Sequence, residues 1–96
     1  MKLKLTTRAI EDIFEISRYL KQKNPSVSLK IRHLLFEAMH RLTLFPMSGS
    51  EQISGVRRLI TYKYRYLIYY RVDSEAKHIE IITIQHSSRD REFEHV

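Results

Sequence analysis

Apolar positions recur along this chain with two different periods, and the point where one gives way to the other divides it. Lys2-Leu3-Lys4-Leu5-Thr6 alternates charged and apolar residues, which predicts a short half-buried strand at a sheet edge, the lysines discouraging pairing with another edge. From there to Phe45 the spacing is three and four. Ile10, Ile13, Phe14, Ser17 and Leu20 mark one helical stripe, and Val27, Ile31, Leu34, Leu35, Ala38, Leu42 and Phe45 mark a second and longer one. Beyond residue 55 the period falls to two, and three strands are expected at about Val56–Ile60, Tyr64–Val72 and His78–His86.

The residues between these runs suit the boundaries they imply. Thr7 is a candidate N-cap for a first helix reaching about Lys23, with Glu11 and Asp12 in its early turns and Lys21 and Lys23 near its end, charges that oppose the helix dipole. Asn24-Pro25 reads as stop and restart together: Asn ends one helix or caps the next, and Pro suits a first helical position, where an N–H would be unpaired anyway. The second helix then runs from Pro25 to Phe45 and is ended by Pro46. Met47 to Gly55 reads as a loop. Thr61-Tyr62-Lys63 and Asp73-Ser74-Glu75-Ala76-Lys77 join the strands, which form an antiparallel meander. The predicted class is α+β, ordered β-α-α-β-β-β, an antiparallel sheet with an N-terminal helical hairpin packed on one face and the other face partly open.

Length and composition narrow this little further. The 96 residues, 1–96, are expected to form one domain, since smaller pieces would not bury enough apolar surface. Hydrophobic residues at 43% and well-mixed charged residues at 29% suit a folded chain. A formal charge of +6 would attract nucleic acid, an anionic surface or an acidic protein without choosing among them. Absence of Cys excludes disulfides and thiol catalysis. No apolar run reaches membrane-spanning length, and the first residues lack an apolar signal core, so a cytoplasmic protein with no membrane contact is expected.

Candidate chemistry gathers late in the chain. Arg57, Arg65, His86 and Arg89 stand where antiparallel pairing could bring them onto neighbouring positions. Clustered cations repel, which suits an anionic ligand; equally, each is solvated or paired with Glu80, Asp90, Glu92 or Glu94, and on the residues alone this second reading carries more weight. Lys63, Arg65, His86 and Arg89 are also the residue types that RNA cleavage through a 2′-hydroxyl would use as base, acid and phosphate clamp. Yet a lone His at a strand end more often makes one structural hydrogen bond. Tyr62, Tyr64, Tyr66, Tyr69 and Tyr70 lie beside these cations, where aromatics stack on bases, but alternation assigns the Ile68 side of the strand (Tyr64, Tyr66, Tyr70, Val72) to sheet packing. His33 and His40, with Glu37 between them, do not complete a metal site. No phosphate loop or catalytic triad is present, and no metal or cofactor is expected.

The chain resembles the ParE branch of the RelE/ParE toxin superfamily over nearly its whole length. Ala9, Asp12, Ile13, Ile16, Tyr19 and Leu20 match the family's opening helix, and Asn24-Pro25 its interhelix turn. Leu42-x-x-Phe45-Pro46-x-x-Gly49 matches its helix-end signature, Gly55-Val56-Arg57 its G-x-R strand, Tyr66 to Val72 its Y-x-I-x-Y-x-V strand, and Ile84 to Asp90 its I-x-H-x-x-R-D close.

That resemblance implies the toxin of a type II toxin–antitoxin module, of the kind that stabilises plasmids, arrests growth and is neutralised by a cognate antitoxin in a hetero-oligomer. Contact with operator DNA would be indirect, through the antitoxin. ParE-like members imply inhibition of DNA gyrase by protein–protein contact, with Arg57, Arg65, His86 and Arg89 as target-binding residues. RelE-like members imply ribosome-dependent cleavage of mRNA, for which Lys63, Arg65, His86 and Arg89 would be the catalytic set. Met47 to Gly55 holds no Lys or Arg, unlike the lysine-rich RelE-like loop, so the first branch is the expected one.

Overall fold

The structure, a computed structural model, describes residues 1–87 of the chain. Its elements are β1 (Lys2–Leu5), α1 (Thr7–Lys23), α2 (Pro25–Leu44), β2 (Ser50–Ile53), β3 (Val56–Ile60), β4 (Tyr66–Asp73) and β5 (His78–His86). The strands form one sheet in the order β1-β5-β4-β3-β2. β1 pairs parallel to β5, and the remaining neighbours are antiparallel. The expected α+β architecture and the meander are therefore observed, with β1 at one edge and both its lysines exposed.

Local chemistry sets the helix ends. Thr6, rather than Thr7, caps α1: its hydroxyl accepts from the Ala9 N–H at 3.0 Å and donates to the Ile82 carbonyl at 2.7 Å, joining the helix start to β5. Asn24 plays both expected parts, donating its N–H to Leu20 O and accepting the Val27 N–H on its side chain. No acidic residue lies in the first turn of α1, so the expected dipole role of Glu11 and Asp12 is not what places them.

One core lies between the hairpin and the sheet. α2 contributes Ile31, Leu35, Met39 and Leu42, β4 contributes Tyr66, Ile68 and Tyr70, and β5 contributes Ile79, Ile81 and Ile84. Fully burying a residue such as Leu35 stabilises the fold by about 1.5–3 kcal/mol. The parity change from Ile79 and Ile81 to Ile84 has a structural cause. Tyr70 pairs with Ile81 and Tyr69 with Thr83, so Ile82 is an extra residue, and this bulge returns the end of β5 to the helix side. No helix among the described residues is long and apolar enough to cross a membrane.

Four expectations change. The stripe on α1 is turned: Ala9 and Ile13 are buried and Ile16 and Leu20 pack against the core, while Ile10 and Phe14 face outward, Phe14 69% exposed. Phe45 likewise lies outside the core, whereas Met39 is fully buried. The loop from Met47 to Gly55 contains β2, an edge strand exposed along its length, which pairing defines and burial does not. Finally, Tyr64 and Arg65 are not in a strand: with φ of 63° and 49° they form the left-handed tip of the β3–β4 hairpin.

Candidate functional site

Two polar groups on the helix side of the sheet hold the frame on which the candidate residues are displayed. Asp12, 7% exposed, accepts from the Thr83 hydroxyl and, at 3.0 Å, from the Ile84 N–H; Arg8 pairs with its second oxygen at 3.1 Å. With Thr6 on Ile82, these bonds fix the bulge against α1. Charge-assisted bonds of this kind are among the stronger ones in a small fold.

The second group closes the turn after α2. The Tyr70 hydroxyl accepts from the Gly49 N–H at 2.9 Å and donates to the Pro46 carbonyl at 2.7 Å, and an Arg57 nitrogen donates to the Gly49 carbonyl at 2.7 Å. Gly49 has no room for a side chain, since an added Cβ would lie 2.7 Å from the Tyr70 ring and 2.8 Å from the Arg58 carbonyl. The Pro46-x-x-Gly49 spacing, the tyrosine of β4 and the arginine of β3 are thus one packing unit.

At the other end of β4 the chain is open. Thr61, 5% exposed, donates its hydroxyl to the Lys63 carbonyl at 2.8 Å and accepts the Tyr66 N–H at 2.8 Å, while Ser87 N–H bonds the Arg65 carbonyl. These bonds hold a tip whose side chains, Tyr62 to Arg65, are all exposed. No hydrogen bond or ion pair of the Lys63 or Arg65 side chain is formed among the described residues. Left-handed backbone at a residue other than Gly costs about 1–2 kcal/mol, so the tip is strained as well as exposed.

His86 pairs in register with Tyr66, and the two rings meet edge to face with centroids 5.0 Å apart. Together they floor a cleft of about 920 Å³ against the second half of α1, where Glu15, Arg18, Tyr19 and Gln22 form the rim. Burial pushes the Tyr66 phenol above its ordinary value.

The sequence candidates therefore separate. Arg57 lies opposite Tyr70 and His86 opposite Tyr66, four positions along β4, or roughly 13 Å at strand rise. Arg65 and His86 adjoin at one end, Arg65 at the tip and His86 on the helix side. Lys63 shares the tip with Arg65, and Arg89 lies outside the described residues. By alternation Arg58, Ile60, Leu67 and Tyr69 lie on the sheet face away from the helices, where Ile60 is exposed and Leu67 is buried. His33 pairs with Glu37 at 3.5 Å in solvent, and no group of three potential metal ligands exists among the described residues. Three residues that fix the frame, Asp12, Gly49 and Tyr70, were visible in the sequence as a helix-start charge, as family positions or as packing.

This helical hairpin over a five-stranded sheet is a fold similar to that of solved ParE and RelE toxin structures. The ParE toxin family of the type II toxin–antitoxin system parDE matches residues 3–91, and the chain belongs to that family. It is similar to the chromosomal ParDE toxin–antitoxin system of P. aeruginosa, with 26% identity and a TM-score of 0.77 over 90% of this chain and 95% of that one. The intact E. coli RelBE toxin–antitoxin complex is similar with a TM-score of 0.65 at 15% identity, covering 88% and 94%. The M. tuberculosis RelBE2 complex follows with a TM-score of 0.58 at 19% identity, covering 88% and 95%. At those identities the likeness to RelBE is one of fold. No curated protein matches the chain by sequence.

Proposed function

We propose that this ParE-family toxin inhibits DNA gyrase by protein–protein contact, stabilising cleaved DNA complexes, and that a cognate antitoxin neutralises it. The observation that carries this reading is the ParE family match across residues 3–91. The geometry agrees with a toxin that docks. Arg65 stands exposed beside the His86 cleft as a contact residue. Arg57 contributes to docking chiefly by fixing the strand, and Arg89 is proposed with Arg65 from the family motif alone.

The surface also suits an antitoxin segment. Ile10, Phe14 and Phe36 line an outward groove of about 170 Å³ between α1 and α2, with Arg32 at its side. An amphipathic segment with apolar anchors and acidic flanks would bury those rings and meet the +6 charge. The test is supercoiling by gyrase from the organism that encodes the toxin. Inhibition that the antitoxin relieves is the expected result. A toxin that leaves gyrase untouched and cuts ribosome-bound mRNA, in a manner lost on changing Arg65 and His86, would replace this reading with the endoribonuclease one.

A further inference from the structure

The β3–β4 tip has a composition that folding does not explain. From Gln52 to Val72 the chain carries Arg57, Arg58, Lys63, Arg65 and Arg71 and no Asp or Glu. Arg57 is consumed by the Gly49 carbonyl, which leaves Lys63 and Arg65 as the cations at the hairpin end. Tyr62 is 98% exposed and Tyr64 42%, so at least one aromatic ring rests almost wholly in water, where its burial stabilises nothing.

The backbone points the same way. Tyr64 and Arg65 are consecutive left-handed residues other than Gly, an arrangement that persists only when neighbouring bonds impose it. Those bonds are present, from the Thr61 hydroxyl on one side and Ser87 N–H on the other. The tip is thus held in one shape before any partner arrives, with two rings interleaved with two cations along consecutive residues.

We propose that the tip from Tyr62 to Arg65 binds an unpaired nucleic-acid strand, the tyrosines stacking on bases and Lys63 and Arg65 meeting phosphates. Stacking needs an exposed base face, which a duplex hides and a single strand offers, and each nucleotide of that strand carries a phosphate. A protein partner would draw on the same rings and cations, but the lack of Asp and Glu from Gln52 to Val72 favours a ligand with a charge at every repeat. This binding goes beyond gyrase contact and does not depend on it.

Fluorescence anisotropy of the full chain with labelled oligothymidylate, oligouridylate and duplex DNA, each about fifteen units long, tests the idea at about 50 and 200 mM salt. Tyr62→Ala with Tyr64→Ala, which changes no charge, is expected to weaken single-strand binding about thirtyfold. Lys63→Ala with Arg65→Ala should also make the salt dependence shallower by roughly 1.4 log units per log unit of salt. Lys2→Ala with Lys4→Ala removes equal charge from the β1 edge and should leave the tip's binding nearly intact. Melting curves keep the comparison to folded variants, and the difference between the DNA and RNA strands shows which sugar is preferred.

Equal losses in the tip and β1 variants, or an unchanged affinity for the tyrosine variant, would overturn the proposal in favour of diffuse charge. Absence of oligonucleotide binding, with gyrase inhibition lost in the tip variants, would overturn it in favour of protein docking while leaving the proposed function standing.

Discussion

Arg57 and Arg65 belong to one carboxylate-free stretch, and on sequence grounds they fall in one candidate set, yet the fold gives them opposite work. Arg57 is half-buried and bonds the Gly49 carbonyl at 2.7 Å, beside a tyrosine hydroxyl that holds the same glycine by its N–H. Arg65 is exposed, its backbone in a left-handed conformation and its side chain without a hydrogen bond or ion pair among the described residues. A cation that completes a packed polar unit is explained by stability. One that sits in a left-handed conformation, with its side chain outside every bond among the described residues, is explained by a partner.

Mutations can break or sharpen that contrast. The largest effect is expected at the anchor of the bulge. Asp12→Ala removes the acceptor for the Thr83 hydroxyl and the buried Ile84 N–H, and urea unfolding should show a loss of about 3 kcal/mol. Gly49→Ala should follow with about 2 kcal/mol, because its Cβ has no space against Tyr70 or the Arg58 backbone. Tyr70→Phe, which keeps the ring and strands the Gly49 N–H and Pro46 carbonyl, should cost about 1–2 kcal/mol. At the tip the sign reverses: Arg65→Gly relieves left-handed strain and should raise stability by about 0.5–1 kcal/mol. A destabilised Arg65→Gly would erase the distinction between the two ends.

Much of the frame was legible because burial and periodicity agree along it. Alternation put Tyr66, Ile68, Tyr70 and Val72 on one face of a strand, and those residues meet the helices. Three features escaped for separate reasons. β2 is an exposed edge defined by hydrogen bonds to β3, so it leaves no apolar alternation to read. α1 carries apolar residues on two adjoining faces, and sequence spacing alone does not say that Ala9, Ile13 and Ile16 turn inward while Ile10 and Phe14 turn out. The bulge at Ile82 changes which face of β5 His86 occupies, and a strand read with unbroken alternation misplaces it.

The candidate site was legible as a set of residue types and not as a place. Charge and motif selected Arg57, Arg65, His86 and Arg89, but whether a guanidinium is spent on a carbonyl depends on a contact between segments far apart in sequence. Conversely, Asp12 looked like a helix-start charge, and only the fold shows it buried against β5.

The account rests on Arg65 acting outward while Arg57 acts inward, and one measurement reaches it directly: gyrase inhibition by Arg65→Ala, assayed beside its own melting curve. An unchanged or raised melting temperature with at least a tenfold higher concentration needed for inhibition is the predicted result, the loss of a contact worth about 1.4 kcal/mol or more. Full inhibition by a folded Arg65→Ala toxin would contradict it.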